Sequence, residues 1–171
     1  MRAIRVYIDG DDRRLEMEEV PKPTPLPNQV LVRASSIGVN RADLGRRSVA
    51  SNGRPEPFIP GLDVGGVIEE IGADVTGWSV GDQVIALVRG AYAEFSIASA
   101  TLAYRPPSGM EMHEAASIPC VFLTAWYGLT NVGQMKPGET VLVHAAGSGV
   151  GTAAIQIAKV SGGRVLTSAG S

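Results

Sequence analysis

Six residues, Ala146-Gly147-Ser148-Gly149-Val150-Gly151, have the types and spacing to hold a diphosphate. Small side chains let backbone N–H groups approach a pyrophosphate, and a helix starting there adds partial positive charge. The dinucleotide fingerprint is G-x-G-x-x-G between a strand and a helix. Ala146 and Ser148 fill its first two slots and Gly151 the third. A tight strand–helix turn whose small residues serve packing alone would read the same way, and spacing does not separate the two.

The flanking residues supply the elements such a turn needs. Thr140–Val143 is a short β-branched run bounded by Pro137-Gly138, which predicts a strand. From Val150 to Val160 three helical turns fit, with no Gly or Pro after Gly151; Gly162-Gly163 stops the helix, and Arg164–Leu166 restarts as strand. After that strand the chain reads Thr167-Ser168-Ala169-Gly170-Ser171. A coenzyme with a free ribose 2′-OH usually meets a carboxylate there. None is present, so a 2′-phosphate meets no repulsion and Ser168 or Ser171 can donate to it. NADP(H) is therefore favoured over NAD(H).

Upstream the pattern differs. Residues 1–20 alternate around Asp9-Gly10-Asp11-Asp12 and predict a hairpin. Residues 21–27 are Pro-rich and extended. Strands are predicted over Gln29–Val39, with Val30, Val32 and Ala34 on one face, and over Asp63–Ile71, Val84–Val88 and Ala91–Ile97. Gly65-Gly66 inside the second of these marks a bulge or a close backbone approach. Asn40–Leu44 reads as a loop entering a short helix, and 48–60 as an exposed loop. Many short strands between Gly and Pro turns predict a compact, partly closed β fold. Met112–Ser117 and Val121–Asn131 read as helical. The expected organisation is a β domain over 1–118 followed by part of a nucleotide domain over 119–171.

Composition narrows the function classes. The 171 residues are 44% hydrophobic and 19% charged with a net charge of -2, so no basic excess suggests nucleic acid. No 18-residue apolar run spans a membrane. The single cysteine, Cys120, excludes an internal disulfide framework and fits a reducing, cytoplasmic setting. Cys120 is expected to be a small buried hydrophobe, and His144 a packed, hydrogen-bonded residue.

Taken together, Gly38–Asp43, Pro60–Gly66, Val80–Val84, Gly90–Phe95, Leu123–Trp126 and His144–Gly151 resemble, in order, segments of the medium-chain dehydrogenase/reductase family, and within it the zinc-independent quinone oxidoreductase (zeta-crystallin-like) branch. The resemblance implies an α+β/α/β chain. A GroES-like, partly closed β domain would precede the first β-α-β unit of an incomplete Rossmann domain, with the coenzyme in the cleft between the two. It implies hydride transfer from NADPH to a quinone or activated alkene. An enoyl-thioester reductase of the same family is the close alternative. A non-catalytic interaction module is the alternative of another class.

Zinc members of the family carry Cys where Asn40 stands and His where Leu62 stands. Asn40 is a poor zinc ligand and Leu62 is none. His113 and His144 have no partners at ligand spacing, so no metal site is expected. By resemblance Asn40 positions the nicotinamide end, as catalytic candidate and coenzyme contact, with Thr124 beside it; Ser148, Gly149 and Val150 lie under the pyrophosphate. Asn40 also suits an N-cap for the helix after it. Related enzymes often have a Tyr in the loop following Arg46-Arg47, but 48–52 contains no phenol to donate a proton.

A doubly wound nucleotide domain needs about six parallel strands, and two are legible here. The helix Val150–Val160 has little polar face. The expectation is a fragment, or a piece stabilised by homo-oligomerisation. Such a chain would bind coenzyme weakly and would not turn over alone.

Overall fold

The computed structural model describes residues 1–9, 12–44 and 57–170. The chain divides into two compact units, Met1–Ile118 and Pro119–Ser171.

In the first unit, β1 (Arg2–Asp9) and β2 (Asp12–Glu19) form an antiparallel hairpin. Ala3 and Val6 turn inward and are buried, and single bridges tie them to Ala93 and Phe58. Five further strands make one antiparallel sheet: β3 (Gln29–Gly38), β4 (Asp63–Ile71), β5 (Gln83–Leu87), β6 (Phe95–Ser99) and β7 (Ala103–Tyr104). Their spatial order is β6-β3-β4-β5-β7. Val30, Val32, Val64, Ile68, Val84 and Ala86 form the core of this sheet. Leu31, on the opposite face of β3, is equally buried, so that strand is covered on both sides rather than one.

Glycine at two positions of β4 is dictated by close approach. A Cβ on Gly66 would stand 2.0 Å from the Arg33 carbonyl oxygen, beside a register shift between β3 and β4. A Cβ on Gly65 would meet Met112 Sδ at 2.8 Å. Met112 begins α2 (Met112–Ala115), which packs on β3 and β4. The Gly65-Gly66 pair thus serves both a bulge and a close approach.

One expected strand is shifted. Residues 91–94 are irregular, and β6 starts only at Phe95. Gly90 has φ 98°, and the Ala93 N–H bonds the Ala91 carbonyl at 2.8 Å. The chain is therefore still turning where the alternation suggested a ladder. The short helix α1 spans Arg41–Leu44. Of the loop expected over 48–60, positions 48–56 lie outside the described residues.

Helix α3 (Ile118–Trp126) starts on the last residue of the first unit and lies otherwise in the second, with Pro119 in its first turn, where a missing N–H costs little. The helix widens into a π turn over Tyr127–Val132, rather than running as one α-helix to Asn131. Strands β8 (Thr140–Val143) and β9 (Arg164–Thr167) pair in parallel, and α4 (Gly149–Val160) crosses between them. Ala153, Ala154 and Ile157 of α4 pack with Val143 and Ala125. Leu142, Leu166 and Val160 are exposed, Val160 at 91%. The expected architecture holds: a curled antiparallel β module, then the first β-α-β unit of a Rossmann-type domain.

Candidate functional site

Each unit holds part of the expected residue set. In the second, the turn from β8 into α4 forms a main-chain cradle. Ala145 adopts φ 51°, a left-handed conformation unusual for a side chain with Cβ. Ser148 is the N-cap of α4, and its Oγ accepts from the Gly151 N–H at 3.0 Å. The Ser148 N–H is held by the Ala145 carbonyl, and the Ala146 N–H by the Ser168 carbonyl. Among the described residues, the N–H groups of Gly147, Gly149 and Val150 have no hydrogen-bond partner. Those of Gly149 and Val150 are the orphan donors of a helix start, where the dipole favours an anion.

The glycines here have different duties. A Cβ on Gly151 would lie 2.5 Å from the Ala145 oxygen, so only glycine lets α4 leave the turn so closely. A Cβ on Gly147 would meet nothing within 4 Å. That side of the turn is open.

At the ends of the parallel strands His144 and Ser168 meet, Nδ1 to Oγ at 2.8 Å. His144 is hydrogen-bonded as expected but exposed rather than packed, because β8 ends one residue earlier. No carboxylate stands on β8, β9, the intervening turn or the first turn of α4. Ser171 lies outside the described residues. Thr124, on α3, gives its proton to the Cys120 carbonyl at 2.7 Å, which leaves its oxygen lone pairs to accept. Cys120 is half-buried rather than buried.

In the first unit Asn40 sits at the junction of β3 and α1. Its Nδ2 donates to Asp63 Oδ2 at 2.8 Å. Its backbone N–H donates to Asp43 Oδ2, also at 2.8 Å. The side chain reaching back over the start of α1 is thus Asp43, while the Asn40 amide points to the adjoining strand. Asp63, at the head of β4, is 1% exposed. Tyr92 completes the group by donating its OH to Asp43 Oδ2 at 2.9 Å. Burial, and then the hydrogen bond to Asp43, push the Tyr92 phenol up to about 12. It stays neutral and a donor at physiological pH.

Asp43 and Tyr92 were not among the expected site residues. Their 49-residue separation leaves no periodic signal, and only the turn that precedes β6 brings them together. An open groove of about 550 Å³ runs along the hairpin and β3, lined by Ile4, Met17, Ile37, Val39 and Tyr92 among others. Its charged groups, Arg2 and Glu94, bond each other, and Asn40 does not line it. Tyr92 is the one residue of the hydrogen-bonded group that also lines this groove. Among the described residues no cluster of three metal-ligating side chains occurs, and no helix is long and apolar enough to cross a membrane.

Comparison with known proteins gives a consistent picture. Residues 26–108 match the alcohol dehydrogenase GroES-like domain. A quinone oxidoreductase of Sus scrofa is 38% identical over 174 residues, covering 99% of this chain and 53% of that protein. The mycobacterial protein Rv1454c complexed with NADPH superposes with a TM-score of 0.85 at 38% identity, over 100% of this chain and 53% of its own. The CurK enoyl reductase superposes with a TM-score of 0.83 at 32% identity, over 98% and 54%. The chain thus spans about half the length of the relatives it matches. With its GroES-like β module leading into a β-α-β unit, the chain belongs to the medium-chain dehydrogenase/reductase family, in its quinone oxidoreductase branch.

Proposed function

We propose that the protein uses NADPH to reduce quinones or other activated alkenes by hydride transfer, with no metal at Asn40 and Leu62. The observation that carries this is the cradle at the start of α4. Three N–H groups are free, Gly147 is open, and no carboxylate stands nearby to repel phosphate. These features fit a dinucleotide with a phosphorylated ribose.

When bound, the reduced nicotinamide supplies the hydride, and the protein contributes binding, orientation and exclusion of water. Gly149 and Val150 donate main-chain N–H groups to the diphosphate, and Ser168 donates to the 2′-phosphate. Thr124, its proton already committed, accepts from the nicotinamide end. Asn40 keeps its Oδ1 and one N–H proton for the coenzyme, because Asp63 takes only the other proton. Asp43 fixes the main chain beneath it. Homo-oligomerisation and a cytoplasmic location belong to the same proposal; exposed Leu142, Leu166 and Val160 give a self-associating chain apolar area to cover.

A second reading, reduction of an enoyl thioester, is favoured by the similarity to the CurK enoyl reductase. Coenzyme titration followed by fluorescence, then assay with a quinone and a crotonyl thioester, separates the possibilities. NADPH binding with quinone turnover by the full-length protein supports the first. Thioester turnover without quinone turnover supports the second. No binding at millimolar NADPH overturns both and leaves a non-catalytic module.

A further inference from the structure

The contact between His144 and Ser168 carries an inference about how the coenzyme is chosen. Both side chains are exposed at the carboxyl ends of the parallel strands, with Nδ1 and Oγ 2.8 Å apart. The Ser168 main chain is fixed on both sides: its N–H bonds the Val143 carbonyl and its carbonyl accepts from Ala146 N–H, each at 3.0 Å. The backbone that carries the hydroxyl is therefore held in place beside the imidazole.

Proton accounting then gives three states, because the neutral ring has two tautomers; in the one protonated on Nδ1, Nδ1–H donates to Oγ and the Ser168 O–H is free. When Nδ1 lacks a proton, it accepts from the Ser168 hydroxyl, and that hydroxyl cannot also donate to a ligand. When the ring is protonated on both nitrogens, Nδ1–H must donate to Oγ, and the Ser168 O–H is turned outward. The protonated ring also adds a positive charge at an end of β8 and β9 that has no other charged group among the described residues of this unit. The remaining charged groups of the unit lie elsewhere. Lys136, Glu139 and Arg164 are at the opposite ends of the strands, and Lys159 is in the last turn of α4. β8 and the turn carry no titratable group besides His144, β9 carries only Arg164 at its opposite end, and α3 carries only Cys120.

Resting on the coenzyme reading above, we propose that His144 is a specificity-determining residue: protonation of its ring removes the tautomer in which Nδ1 accepts from Ser168 and adds a positive charge beside the hydroxyl, so that preference for a 2′-phosphorylated coenzyme strengthens as pH falls. By reciprocity, binding of the 2′-phosphate draws a proton onto His144.

The test measures NADPH and NADH affinity, up to millimolar coenzyme, for the full-length protein from pH 5.5 to 8.5, as wild type, His144→Phe and Ser168→Ala, with ring-nitrogen NMR of His144 alongside. The 2′-phosphate gains its second charge near pH 6 and strengthens binding in the opposite direction. That effect is common to all three proteins, so the wild-type preference divided by the His144→Phe preference isolates the ring. The quotient is expected to fall about tenfold between pH 5.5 and 8, and Ser168→Ala is expected to show a smaller pH dependence of preference than wild type, from the ring's charge alone. At pH 7, NADPH but not NADH should raise the protonated fraction of His144. Binding of both coenzymes with a flat quotient and an unmoved ring overturns the switch and leaves the coenzyme reading standing. Binding of neither overturns that reading and the switch with it. If His144→Phe fails to fold, the NMR comparison of the two coenzymes on wild type decides alone.

Discussion

Replacing Gly151 with Ala tests whether the turn into α4 is held as tightly as the geometry indicates. The new Cβ would stand 2.5 Å from the Ala145 carbonyl oxygen and 2.9 Å from both Cα and O of Ala146. Ordinary carbon–oxygen contact begins near about 3.3 Å, so helix and turn must part by about 0.8 Å. Neither side yields freely. The Ala145 carbonyl accepts the Ser148 N–H at 2.9 Å, and Ala146 is tied to Ser168. Overpacking of this kind costs about 1–3 kcal/mol, and loss of the turn hydrogen bond about 1 more. Alanine's better helix propensity returns up to about 1 kcal/mol. The expected net loss is about 2 kcal/mol. Urea denaturation followed by far-ultraviolet circular dichroism measures it, with Gly147→Ala as the control. At Gly147 a Cβ meets nothing and φ is not positive, so stability should hold or rise by about 0.5 kcal/mol. NADPH affinity should nevertheless fall for that control, since its methyl occupies the open side of the cradle. A Gly151→Ala protein as stable as wild type would refute the reasoning.

Two further expectations concern the first unit. Asp63→Ala removes a buried acceptor from the Asn40 amide and should cost about 1–3 kcal/mol in the same assay, whereas Asn40→Ala should weaken NADPH binding more than it weakens the fold. The Glu94 carboxyl is held below its ordinary 4.5, first by the Arg2 backbone N–H and then by its side chain. A depressed carboxyl stabilises the fold above its unfolded value and loses that contribution as pH falls through the folded one. Wild type should therefore lose stability below about pH 4.5 faster than Glu94→Gln, measured by denaturation between pH 6 and 3.

The linear chain determined what short-range periodicity and turn chemistry can determine. The apolar run of β8, the small residues at 146–151, the Gly-free stretch of α4 and the restart at Arg164 are contiguous, so β8, α4 and β9 were legible with boundaries good to a residue or so. The same holds for β4, whose paired glycines announced close approach; the hairpin was legible too, though its second strand, expected over Leu15–Val20, starts at Asp12. Tertiary structure alone decided which distant segments meet. Strand order β6-β3-β4-β5-β7 depends on pairings between non-neighbouring strands, which leave no local pattern. The irregular 91–94 segment arose because hydrogen bonds to Gly61 and Pro60 outcompeted the alternation that predicted a strand. The Asn40–Asp63, Tyr92–Asp43 and His144–Ser168 pairs span 23, 49 and 24 residues. Residue type made each a candidate donor or acceptor. Only the folded register fixed which donor meets which acceptor, because a hydrogen bond is decided by separations of a few tenths of an ångström and not by position along the chain.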